Sequence, residues 1–127
     1  MGYKLFLDDM RMPDCVFLYT GNRIYNSGDW VIVRNYGEFV DYITINGIPS
    51  LISFDHDLAD IHYLDAGSDI NYSNYDEKTG YHCALWLVDY CMDNGLDLPE
   101  YLVHSMNTTG ATNIRGLLQG YKKFRLQ

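Results

Sequence analysis

Positive charge is what this 127-residue chain has least of. Nine Lys or Arg stand against seventeen Asp or Glu, a formal charge of −8. With a sequence pI near 4.6, the chain has no basic surface able to coat long nucleic acid, though contact with one nucleotide or a strand end is compatible with it. No run approaches the ~20 apolar residues that span a bilayer. Met1–Leu7 also lacks the shape of a signal peptide. Cysteine is scarce: Cys15, Cys83 and Cys91 include no CxxC pair. Cys83 and Cys91 fall in one expected helix, roughly 12 Å apart, beyond the ~7 Å that a disulfide tolerates. Buried thiols in a reducing, cytoplasmic setting are expected, and a zinc site is not. There is no internal repeat and no low-complexity tract. What is present, 47% hydrophobic and 20% charged residues, suits a single globular domain spanning 1–127.

Apolar runs place four strands. Lys4–Leu7 ends abruptly at Asp8-Asp9, Trp30–Arg34 is β-branched at its centre, Ser50–Phe54 runs into Asp55-His56-Asp57, and Tyr101–Val103 leads to His104-Ser105. Helical spacing of apolar residues predicts helices over Tyr36–Asn46, from Thr79-Gly80 to Asn94-Gly95, and over a last segment carrying Ile114, Leu117, Leu118 and Tyr121. Met10–Asp29 is rich in Pro, Gly, Asn and Asp and shows no helical period, so no helix is expected between the first two strands. Leu58–Lys78 is too long for an ordinary connection and reads as a loop insertion. The alternation predicts an α/β fold with a parallel sheet and right-handed crossovers, expected as a small three-layer arrangement with strand order 2-1-3-4.

Three polar motifs begin where apolar strands stop: Asp8-Asp9-Met10-Arg11, Asp55-His56-Asp57 and His104-Ser105-Met106-Asn107. Parallel sheets bind ligands beyond the carboxyl ends of their strands, at the point where strand order reverses. With order 2-1-3-4 the two acidic motifs face each other there. Converging carboxylates repel, and a divalent cation compensates; oxygen-rich ligation favours Mg²⁺ or Mn²⁺.

The segments Leu7–Pro13, Ser53–Leu58, Thr79-Gly80-Tyr81 and His104–Asn107 with Gly110 and Asn113 resemble the cyclic-phosphate processing receiver-like domain, a compact relative of the response-regulator receiver. The resemblance covers almost the whole chain apart from Cys15–Gly28 and the long loop. It implies a truncated receiver or flavodoxin-like fold and a metal-assisted phosphoesterase-like site for cyclic phosphate ends of RNA or related nucleotides. It also implies that Asp8, Asp9 and an acid after the third strand hold the cation, and that Ser105 stands where receivers touch the phosphoryl group. Receivers place a Lys before a fifth strand, whereas Lys122 and Lys123 lie on the last helix here, which points away from an aspartyl-phosphate cycle.

Opening a cyclic phosphate requires charge shielding, a base for water and an acid for the leaving oxygen. Asp8, Asp9 and Asp55 are the expected cation ligands. His56 and His104, with Asp57 beside them, form the expected catalytic group, one histidine as base and the other as acid. Arg11 would clamp phosphate through its planar fork. Ser105, Asn107, Asn113 and the amides around Gly110 would bind substrate. Structural roles compete with these: Arg11 pairing with Asp9, His104 orienting Asp55 or Asp57, and Asn107 and Asn113 capping a helix. His62 and His82 read as surface or packing residues. Two functions follow, a metal-dependent phosphoesterase acting on a cyclic-phosphate nucleotide or RNA terminus, and a non-catalytic receiver-like module that binds a protein or nucleotide.

Overall fold

A computed structural model describes residues 2–58 and 78–126. Its elements run β1 (Lys4–Leu7), α1 (Pro13–Thr20), a 3₁₀ helix (Arg23–Asn26), β2 (Trp30–Val33), α2 (Tyr36–Asn46), β3 (Leu51–Phe54), α3 (Gly80–Asn94), β4 (Glu100–Val103) and α4 (Thr108–Leu126). The described strands all pair in parallel, as the alternation predicts, and in the expected order β2-β1-β3-β4. Residues 59–77, the bulk of the expected insertion, and with them His62, lie outside the described residues.

Strand alternation divides the core between two faces. Leu5, Leu7, Val33, Ile52 and Phe54 pack under α2, α3 and α4, meeting Phe39, Ile43, Cys83, Leu87, Ile114 and Leu118. Phe6 faces the other way, into a smaller cluster with Val16 of α1 and Tyr25 of the 3₁₀ helix, flanked by Trp30, Ile32 and Leu102. Phe6, Phe39 and Phe54 are fully buried, and each such side chain contributes about 1.5–3 kcal/mol of hydrophobic stabilisation. The sheet is therefore covered on both sides by elements that also reach its carboxyl end.

Two expectations are corrected. Between β1 and β2 the chain does form a helix: Pro13 starts it at a position where no N–H is needed, and Gly21, at φ 72°, closes it with an N–H bond to the Phe17 carbonyl. Its apolar residues are scattered, because only Pro13 and Val16 are buried while Leu18 is 82% exposed. Cys15 on this helix is exposed, whereas Cys83 and Cys91 are buried as expected. Among the described residues no helix is long and apolar enough to cross a membrane.

Candidate functional site

Each of three strands extends its ladder by one residue. The Asp8 amide donates to the Val33 carbonyl at 3.2 Å, Asp55 to Leu7 at 3.0 Å and His104 to Phe54 at 2.9 Å. Phe6, Ser53 and Leu102 are in register across β1, β3 and β4. Two residues further on, Asp8, Asp55 and His104 inherit that face. All three are buried, at 0%, 5% and 3% exposure. One ligand atom from each lies within 4.8 Å of the others, a group able to hold a metal ion. Asp9 is half-buried beside it and is not one of the three.

The two carboxylates are treated unequally. Asp8 Oδ1 accepts the amides of Met10 at 3.0 Å and Arg11 at 2.8 Å, while Oδ2 accepts His104 Nε2 at 3.0 Å and Arg11 Nη1 at 3.5 Å. Burial pushes its carboxyl up, but the bonds from His104, Arg11 and Met10 outweigh it and hold Asp8 below the ordinary range. Among the described residues Asp55 accepts the His56 amide alone, at 2.9 Å on Oδ1. Burial, then the charge of Asp8, pushes it up to about 7 despite Arg11. Its Oδ2 is buried and accepts no hydrogen bond from a described residue. Two buried carboxylates and an imidazole converging in this way fit a divalent cation.

His56 and Asp57 form a separate group at the mouth. His56 Nδ1 lies 2.9 Å from Asp57 Oδ1, and Asn107 Nδ2 donates to the same carboxylate at 3.1 and 3.4 Å. The hydrogen bond from His56 is the main cause holding the Asp57 carboxyl below its ordinary range. His56 Nε2 makes no hydrogen bond to a described residue. Two glycines make this packing possible: a Cβ at Gly80 would collide with the Asp55 carbonyl, and one at Gly110 with the His56 ring. The Gly110 amide, expected to bind substrate, is taken by Asn107 Oδ1 at 2.8 Å. Asn107 is thus the cap of α4. Ser105 Oγ accepts the Asn107 amide at 3.0 Å. Asn113 is exposed one turn on, and no hydrogen bond to a described residue ties it to the site.

Arg11 pairs with Asp8, its Nη1 3.5 Å from Oδ2. Its Nη1 also donates to Tyr19 Oη at 3.1 Å, its Nη2 lies 3.8 Å from Met106 Sδ, and Tyr19 Oη donates to the His104 carbonyl at 2.9 Å. Arg34 Nη1 pins the first loop through the carbonyls of Asp8 at 3.0 Å and Arg11 at 2.7 Å. Neither Tyr19 nor Arg34 is among the expected site residues. Arg34 ends the second apolar run and carries the same strand-end signal as the others, while Tyr19 comes from the unexpected helix and carries none. His82, read as surface or packing, accepts the Thr79 amide at 2.9 Å and caps α3.

The model of the cyclic-phosphate processing receiver domain family matches residues 3–120. The chain belongs to that family. No curated protein matches it. It is a receiver domain associated with cyclic-phosphate processing; receivers typically bind Mg²⁺ through acidic residues, and this chain draws Asp8, Asp55 and His104 together.

Proposed function

We propose that this receiver domain is a divalent-cation-dependent phosphoesterase that opens the cyclic phosphate of a nucleotide or RNA end. The observation that carries the reading is the buried Asp8–Asp55 pair, set beside a histidine whose Nε2 bonds no described residue. Asp8 and Asp55, with Asp9 adding charge, would hold Mg²⁺ or Mn²⁺. When bound, the ion shields the non-bridging phosphate oxygens. His56 supplies proton transfer from Nε2 while Asp57 orients its other nitrogen. Arg11 meets phosphate at the mouth, held against Asp8 and Tyr19. Ser105 keeps its own hydroxyl proton for a phosphate oxygen, since the bond from Asn107 uses only a lone pair. Asn107 and Gly110 support the His56–Asp57 pair rather than the substrate, and Asn113 has no assigned contact.

The expected division of acid and base between two histidines is therefore redrawn. His56 is part-exposed and its Nε2 bonds no described residue, whereas both nitrogens of His104 are engaged and its ring is buried. Purified protein with Mn²⁺ is tested against a panel of 2′,3′-cyclic nucleotides and cyclic-ended RNAs. Turnover that is lost in His56→Ala and Asp55→Asn supports the reading. Tight Mn²⁺ binding by calorimetry without turnover of any panel member replaces it with a non-catalytic nucleotide-binding module. Mn²⁺ affinity unchanged in both Asp8→Asn and Asp55→Asn removes the cation assignment.

A further inference from the structure

Ser53 is anomalous. It lies in the middle of β3, fully buried, on a face where its register partners are Phe6 and Leu102. Its Oγ is 2.7 Å from His104 Nδ1 and 2.6 Å from Tyr25 Oη. His104 Nε2 is in turn 3.0 Å from Asp8 Oδ2. Four buried groups from β1, the 3₁₀ helix, β3 and the end of β4 therefore form one continuous chain.

The anion at one end fixes every proton in it. A carboxylate has no hydrogen to give, so His104 Nε2 must donate to Asp8. In the neutral imidazole Nδ1 then holds a lone pair, and Ser53 must donate to it. The single hydroxyl proton of Ser53 is spent there, so Tyr25 must donate to Ser53. No member is left unsatisfied. The imidazole is also clamped mechanically: Phe6 stacks on it at 4.7 Å and 3°, and Tyr25 meets it edge-on at 6.0 Å.

We propose that Tyr25 and Ser53 are positioning residues that hold His104 with its proton on Nε2, so that His104 orients the Asp8 carboxylate and does not itself ligate a cation. This rests on the reading of Asp8 as a cation ligand and goes beyond it by removing His104 from the ligand set. The chain also explains why a polar residue interrupts an apolar strand face, since a second acceptor or donor beside Nδ1 is what distinguishes the two ring flips of the imidazole.

Nitrogen-15 NMR of histidine-labelled protein reads the tautomer directly, without turnover. In metal-free protein near neutral pH, His104 should show a protonated Nε2 and an unprotonated Nδ1. Saturating Mg²⁺ should leave that pattern in place while shifting resonances around Asp55. Ser53→Ala should speed solvent exchange of the Nε2 proton by about tenfold or more, the worth of one lost buried hydrogen bond. Tyr25→Phe keeps the ring packing and should produce a smaller change in the same direction. Transfer of the proton to Nδ1 on adding Mg²⁺ would show that His104 is a ligand and overturn the proposal. An Nδ1–H tautomer in metal-free protein, or exchange unchanged in both variants, overturns it equally. Failure of Mg²⁺ to perturb any resonance near Asp55 would count against the cation reading alone, because the metal-free tautomer and the two variants test the chain independently.

Discussion

Gly110→Ala tests whether the floor beneath His56 is functional. Gly110 lies in the first turn of α4, and a Cβ there overlaps Cγ, Cδ2 and Nδ1 of the His56 ring. These atoms include the root of the imidazole, so the whole ring must swing aside. It cannot do so and keep Nδ1 2.9 Å from Asp57 Oδ1. Overpacking of this kind costs ~1–3 kcal/mol, and the better helix propensity of Ala returns about 0.5–1 kcal/mol. The net loss of about 0–2.5 kcal/mol is small against a typical domain stability of about 5–15 kcal/mol. The variant therefore folds but loses the dyad. Because the bond from His56 is the main cause of the low Asp57 pKa, carbon-13 titration should find that carboxyl moved up toward its ordinary value. Turnover of a 2′,3′-cyclic nucleotide should fall by about 10²-fold or more, the usual contribution of a positioned acid–base group. A folded variant with an unmoved Asp57 pKa and full turnover refutes the reasoning.

The remaining predictions address the acids, the mouth and the thiols. Asp55 titrates at about 7 instead of 3.8 in the metal-free fold. Between those values the unfolded chain binds fewer protons than the folded one, so this group lowers stability as pH rises through that window, by on the order of 2–4 kcal/mol in full. Asp55→Asn should raise the Tm at pH 8 by several degrees and converge with the parent near pH 4; parallel melting curves across that range would contradict it. Tyr19→Phe removes the hydroxyl that joins Arg11 Nη1 to the His104 carbonyl and keeps the ring beside the guanidinium. Its KM for a cyclic nucleotide should rise roughly fivefold with kcat little changed, and an unchanged KM would free Arg11 of this support. A thiol reagent should label Cys15 alone in native protein and Cys83 and Cys91 only after unfolding, as mass spectrometry can count.

The sheet was legible because each strand is an apolar run with an abrupt polar end. The site was legible for the same reason: Asp8, Asp55 and His104 are the residues at which those runs stop. Helix ends at Asn46-Gly47 and Asn94-Gly95 were equally plain, since Gly47 and Gly95 take positive φ. What escaped was whatever lacks periodicity. An eight-residue helix that buries Pro13 and Val16 while exposing Leu18 marks no face. Tyr19 and Tyr25, which that region delivers to the site, escaped with it. Ser53 sits inside a strand, where one hydroxyl reads as an ordinary sheet residue until its partners are known. The part played by Gly110 was invisible for a different reason: the sequence offers an amide near a helix start, and only the packing shows that the amide is spent on Asn107 and that the missing side chain is the useful feature.

Asp8 and Asp55 are chemically identical groups at neighbouring strand ends, and the fold drives them apart. Asp8 receives donors on both oxygens, from two amides, His104 and Arg11. Those bonds outweigh its burial and hold its carboxyl below the ordinary range. Asp55 receives one amide and faces the charge of Asp8 from a buried position, so it reaches neutrality by holding a proton until pH about 7. A cation bound as proposed would supply the positive charge that these hydrogen bonds do not, and the proton on Asp55 would then leave. Metal binding would thus be a proton exchange. Calorimetry of Mg²⁺ binding in two buffers of different ionisation enthalpy should detect release of close to one proton at about pH 6, about half at pH 7 and almost none above about pH 8.5, as a group titrating at about 7 requires. Proton release that does not vary with pH would mean that Asp55 is already ionised, and that the asymmetry between the two carboxylates does not govern how the cation binds.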